Sequence, residues 1–264
     1  MLINSVILVL REVLEAAILI SILLSLSLNR GLNFRWLWRT SALAIIGIYL
    51  YASWIEEITD ALDGAGQEVV NASLQLVVYL LILMIVSLRT NDKKMNPKST
   101  SYFSCLLVLC VAFALIREGS EIWIYISGFS AVEDTRAAIF TGSVIGTSIG
   151  ISLGILLFVG LRATSENNCY RSCLILLALI GSGMVMQASI LLQQVDWLPA
   201  GQALWDSSML LSEQSITGEL LYAVLGYEST PSLLQLLLYC FSLSGVLLAW
   251  YLANRYPRSD NVEQ

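Results

Sequence analysis

Seven apolar runs divide this chain, each near the length of about twenty residues that a helix needs to cross a hydrocarbon core of roughly 30 Å. They fall near residues 2 to 28, 38 to 56, 69 to 88, 102 to 127, 137 to 161, 173 to 194 and 232 to 253. A chain so divided is built for lipid: 57% of its 264 residues are hydrophobic, 13% are charged and its mean hydropathy is +0.75, whereas a soluble domain carries about a quarter charged residues. The runs predict an all-α polytopic membrane protein of seven spans in a single transmembrane domain, residues 1 to 264. The first run is a span and not a signal peptide, because it lacks a basic start and a small-residue cleavage site followed by polar sequence.

The connecting segments set the orientation, since short cytoplasmic loops collect Lys and Arg. Arg30, Arg35 and Arg39 follow the first run, Arg89, Lys93, Lys94 and Lys98 the third, Arg162 and Arg171 the fifth, Arg255 and Arg258 the seventh. The alternate loops hold one basic residue, Arg136. The N-terminus is therefore expected outside and the C-terminus in the cytoplasm. Twelve of the twenty acidic residues then lie in outer segments, a surface that attracts cations. With a net charge of -6, no nucleic-acid partner is expected.

Charge also sits where lipid should forbid it. "LREVLEAAIL" (10 to 19) places Arg11, Glu12 and Glu15 inside the first run, and "IREGSEIWIY" (116 to 125) places Arg117, Glu118 and Glu121 inside the fourth. At about 100° per residue the two glutamates of each copy are about 60° apart around the helix and about 4.5 Å apart along it, with the arginine on the same face. A charged residue at the membrane centre costs roughly 2.5 to 3.5 kcal/mol on insertion scales. A structural clamp would need one ion pair; two copies of an Arg-Glu-x-x-Glu set predict a binding site. Three spans separate the copies, so their helices run antiparallel. Two inverted three-helix units, residues about 1 to 90 and 100 to 195, with an extra helix at about 230 to 254, would bring both motifs together near the midplane.

Four carboxylates without imidazole or thiolate suit hard cations. The chain has no histidine, and its five cysteines form no zinc-type ligand pattern. Arg11 and Arg117 would balance part of the negative charge and leave an excess for a multivalent cation. No nucleophile and base constellation suggests an enzyme, and no phosphate-binding loop suggests nucleotide hydrolysis.

The two motifs resemble those of the oxidase-dependent iron permease family, the high-affinity iron permeases of fungi and their bacterial relatives. "DGAGQEVVNASLQLVVYLLI" (63 to 82) and "GYESTPSLLQLLLY" (226 to 239) extend the resemblance over nearly the whole chain. It implies iron carriage into the cytoplasm, with Glu12, Glu15, Glu118 and Glu121 as iron ligands. It also implies a separate periplasmic or extracellular iron oxidase or delivery protein, and no permanently bound cofactor, iron being the cargo. Bacterial inner membrane is the expected location. Relatives often carry a His-Glu pair where this chain has Ile190 and Leu191, which leaves Gln187, Gln193, Gln194, Met184 and Met186 as the polar or soft candidates on that helix.

Glu56, Glu57, Asp60, Asp63 and Glu68 crowd the segment before the third run. They read either as a solvated helix end or as an outer site that collects the ion, with Glu57, Asp60 and Gly64 on one stripe if the second helix extends so far. Asp206 and Glu213 are weaker outer candidates. A proton-coupled carrier of another divalent metal, manganese or lead for instance, would use the same carboxylates, and a membrane metal sensor is the alternative of another class.

Overall fold

A computed structural model describes residues 2–88, 97–129, 133–212 and 215–255. Arg89, Lys93, Lys94, Arg258 and Glu213 lie outside the described residues. Within them the chain is helical: α1 Leu2–Asn29, α2 Arg35–Ser53, α3 Ile55–Asp60, α4 Gly66–Ser87, α5 Pro97–Phe129, α6 Glu133–Ala163, α7 Glu166–Gln194, α8 Ile216–Leu225 and α9 Leu233–Arg255. Each expected run is matched by a long helix, and most helices extend beyond their run at one or both ends, because flanking polar residues continue the turn without penalty outside the hydrocarbon.

By length and apolarity five of these helices can cross a membrane, α4, α5, α6, α7 and α9, or six if α2 and α3, bent by 66° at Trp54, form one broken span. The charge-bearing α1 is not among them, but it is 28 residues long and mostly buried in the bundle. The outer faces of α6 and α9 carry exposed Ile155, Leu156, Val159, Leu237, Phe241 and Leu248, a belt that water would not tolerate and lipid does.

Between α3 and α4 the chain reverses through Leu62, Asp63 and Gly64, at φ of 56°, 62° and 91°. This break ends α3 at Asp60, so Glu57, Asp60 and Gly64 share no continuous stripe. A Cβ on Gly66 would lie 1.8 Å from the Ile58 carbonyl oxygen, so only glycine lets α4 start against α3.

The tightest helix pairing is α1 against α6. Gly142, Gly146, Gly150 and Gly154 recur every fourth residue, and a Cβ on each would meet α1 at 2.6 to 2.8 Å, against Ser5, Val6, Val13 and Ala17 respectively. Where lipid removes the hydrophobic drive between helices, such small-residue stripes let backbones approach and gain dispersion contact. Ser21 Oγ, 2.7 Å from the Gly154 carbonyl oxygen, donates across the same seam. The equivalent seat of α5 on α2 is looser in kind: Gly47 faces Ile116 and Gly119 faces Ile48. Further pairings join α4 to α5, α7 and α9, and α1 to α5, α7 and α8.

The core lies towards the C-terminal half of α1. Leu19, Ile22, Leu23 and Leu26 of α1, Ile82 and Ile85 of α4, Phe103 and Leu107 of α5 and Leu177 of α7 are fully buried. This aliphatic mass closes one end of the bundle below the charged residues.

Candidate metal-transport site

Both motifs meet in the interior. Glu12, Glu15, Arg117 and Glu118 are at most 5% exposed. Antiparallel packing of α1 and α5 sets their depth: Glu12 is ten residues in from Leu2 and Glu118 eleven from Phe129, about 15 and 17 Å along the helices. That is roughly half a hydrocarbon core.

The two arginines divide the four carboxylates unevenly. Arg117 Nη1 donates to Glu15 Oε2 at 2.8 Å and to Glu118 Oε1 at 2.6 Å, and its Nε lies 3.2 Å from Glu121 Oε1. Its reach to Glu15 crosses from one motif copy to the other. Arg11 holds Glu12 Oε1, through Nη2 at 2.7 Å and Nε at 2.9 Å, and its guanidinium stacks 5.4 Å from the centre of the Tyr222 ring on α8. Glu12 Oε2 and Glu118 Oε2 are buried without a donor, and a buried acceptor left so costs about 1 to 3 kcal/mol. Among the described residues no three His, Cys, Asp or Glu are arranged to hold a metal ion as they stand. The physical reason is Arg117, whose guanidinium lies between three of the four glutamates.

A cavity of about 480 Å³ opens onto the cluster from the side of the α1 N-terminus. Arg11, Glu12, Glu68, Asn71, Glu121 and Tyr125 are among its walls. Glu68 therefore joins the motif residues. Glu57 lines a different cavity, about 310 Å³, beside Trp54 and Val70, and Asp60 and Asp63 are exposed on the surface. Asp206 is also remote: it accepts hydrogen bonds from the Ser208 backbone N at 2.9 Å and Ser208 Oγ at 2.5 Å, and these hold its carboxyl below the usual carboxylate range.

Of the candidates on α7, Gln187 reaches the cluster, with Nε2 3.5 Å from Glu15 Oε1, and Met184 lines a small void beside Glu15. Gln194 borders the outer cavity, and Gln193 pairs with Gln235. Leu191 lines the same cavity, so its wall there is apolar. Sequence reasoning missed Tyr222, Asn71 and Gln75. For Tyr222 a signal existed: Ser215, whose Oγ accepts from Gly218 N at 3.0 Å, and Gly226 at φ 66° bound α8 as cap and stop.

A helical bundle apolar on its outside and carrying buried carboxylates balanced by arginine belongs to the class of membrane proteins that handle cations. The sequence from 2 to 256 matches the model of the Iron permease FTR1 family, and the chain belongs to that family. It is a transporter of iron and not an enzyme. Among similar proteins, the ferrous iron permease EfeU of Escherichia coli O6:H1 is 24% identical, with 94% of each chain covered. The EfeU of Escherichia coli O157:H7 is 24% identical over 93% of this chain and 94% of that protein. The EfeU of Yersinia pestis is 22% identical over 93% and 92%. No solved structure matches.

Proposed function

We propose that this chain carries iron inward across a bacterial inner membrane, with Glu12, Glu15, Glu118 and Glu121 as its ligands and Arg11 and Arg117 as balancing charges. The chain crosses seven times, N-terminus outside and C-terminus in the cytoplasm, as two inverted three-helix units followed by α9. Packing supports the repeat: exchanging α1, α2 and α4 for α5, α6 and α7 turns the α1–α6 pairing into α5–α2 and α4–α5 into α7–α1, and leaves α1–α5 and α4–α7 unchanged.

One observation carries the site assignment: three carboxylates from helices about a hundred residues apart in sequence, Glu15, Glu118 and Glu121, converge on Arg117, and Glu12 Oε2 and Glu118 Oε2 are left without donors. Iron gathers in the outer cavity at Glu68 and meets Glu121, whose side chain is 23% exposed. It then displaces the Arg117 guanidinium from the carboxylates and takes its place between them. Release inward follows as the two units rock and the aliphatic plug opens. A separate oxidase or iron-delivery protein outside the membrane serves as partner where the oxidation state must change.

The test is uptake of radiolabelled iron, ferrous and ferric in parallel, into uptake-deficient cells expressing the parent, Glu15→Gln or Glu121→Gln at matched membrane levels. Uptake by the parent and its loss in both variants is expected. A well-expressed parent that accumulates manganese or lead in preference to iron would overturn the iron assignment, and variants as active as the parent would overturn the ligand assignment.

A further inference from the structure

Three residues of α4 lie on one stripe facing the cluster. Glu68, Asn71 and Gln75 stand at i, i+3 and i+7, within about 60° of one another around the helix and about 10 Å from first to last along it. Asn71 is 4% and Gln75 1% exposed. One oxygen of each of the three is buried with no donor: Glu68 Oε2, Asn71 Oδ1 and Gln75 Oε1.

The cluster itself fixes which ends of the amides are left over. Asn71 turns its Nδ2 to Glu121 Oε1, at 3.4 Å; a carboxylate accepts, so the NH2 group must face it and the oxygen must face away. Gln187 directs Nε2 at Glu15 Oε1 and at the Tyr222 carbonyl oxygen, 3.5 and 3.4 Å away. Both are acceptors. Its own oxygen is thereby turned to Gln75, which donates through Nε2 at 2.7 Å. Gln75 Oε1 is the free end of a relay whose direction Glu15 dictates. Polar residues that merely glue helices would spend both ends of each amide on partners. Here the donors are spent and the acceptors remain, which is the arrangement a cation uses and an anion cannot.

Resting on the iron-carrying reading above, we propose that Asn71 Oδ1 and Gln75 Oε1 are iron ligands, forming a track of neutral oxygens that leads the dehydrating ion from Glu68 in the outer cavity to the buried carboxylates. Asn71 lines the cavity together with Glu12, Glu68 and Glu121 and is the upper station. Gln75, one turn deeper and linked through Gln187 to Glu15, is the lower one. Neutral carbonyl oxygens replace hydration water without adding charge, so the ion is stripped but not trapped.

The experiment uses the full chain in liposomes, with ferrous iron and manganese supplied outside, and compares the parent with Asn71→Leu, Asn71→Asp and Gln75→Leu. Equilibrium binding of radiolabelled iron to the same purified proteins runs beside it. Asn71→Leu should raise the iron KM by about tenfold and Gln75→Leu lower the maximal rate by about tenfold, both with a changed iron to manganese preference. Asn71→Asp, which keeps an oxygen, should stay within about threefold of the parent in KM. Folded Leu variants with parental KM, rate, metal preference and iron binding overturn the proposal. So does a rate loss that only tracks a loss of folded protein, with KM and preference unchanged. If Gln75→Leu does not fold, Asn71→Leu decides by itself. A parent that moves no iron counts against the transport reading, and the binding measurement then still decides the ligands: parental affinity in Asn71→Leu overturns them, weakened affinity upholds them.

Discussion

The two Arg-Glu-x-x-Glu copies have the same residues at the same spacing and end in different electrostatic circumstances. Arg117 has a side chain 6% exposed and serves three carboxylates, one of them borrowed from the other copy. Arg11 is 28% exposed, pairs with Glu12 of its own copy, and rests on Tyr222 at the edge of a water-accessible cavity. The difference originates outside the helices that carry the motifs. Tyr222 belongs to α8, which packs against α1 and α7. Sequence symmetry thus supplies two equal charge sets, and one short helix makes one arginine a buried keystone and the other a rim charge.

Removing each arginine in turn probes this contrast most sharply. Arg117→Ala strands two buried carboxylates and a half-buried third and should cost on the order of 3 to 5 kcal/mol, read as a collapse in the yield of monodisperse protein and in Tm. Equal losses from Arg11→Ala would break the comparison. Next in size is the seating of the helices that carry the two copies: Gly146→Leu inserts a side chain where even a Cβ would lie 2.6 Å from the Val6 carbonyl oxygen, and overpacking of that kind costs about 1 to 3 kcal/mol. Gly47→Ala, facing the flexible end of Ile116, should lower Tm less. Arg11→Ala strands one buried carboxylate, Glu12, and should cost less than Arg117→Ala, while lowering the iron KM because a positive charge leaves the cavity wall. The smallest effect belongs to Tyr222: Tyr222→Leu should lose the stacking, about 0.5 to 1 kcal/mol, and Tyr222→Phe should leave Tm at the parental value. A Tyr222→Phe variant as unstable as Tyr222→Leu would show that the hydroxyl, not the ring face, holds Arg11.

The long helices were legible because a twenty-residue apolar run has few alternatives, and the motif glutamates because charge inside such a run is costly. Their partners were not. Whether Glu15 pairs with Arg11 in its own copy or with Arg117 in the other depends on how α1 packs on α5, and α8, which brings Tyr222 to Arg11, is at ten residues too short for a membrane-length window. The bend at Trp54 has no proline or glycine to announce it, so the acidic stripe expected from Glu57 to Gly64 dissolves into two short turns while Glu68, beyond the turn, reaches the cavity. Asn71 and Gln75 drew no attention in the sequence because an amide in a spanning helix is ordinary; only the direction of their hydrogen bonds sets them apart.

The depth of the cluster has an electrical meaning. A full crossing is worth about 2.3 kcal/mol per elementary charge for each 100 mV. On the proposed orientation and ligand assignment the carboxylates lie about 15 Å from the outer helix ends, and an ion seated on them would have spent roughly half of the voltage and would hold the other half in reserve. For a divalent ion that reserve is about 2.3 kcal/mol per 100 mV, and for a trivalent ion about 3.5. Under that proposal an inside-negative membrane would tighten the cluster's hold on iron arriving from outside and, by the same amount, favour its onward passage, making the affinity of the site a function of voltage as well as of chemistry.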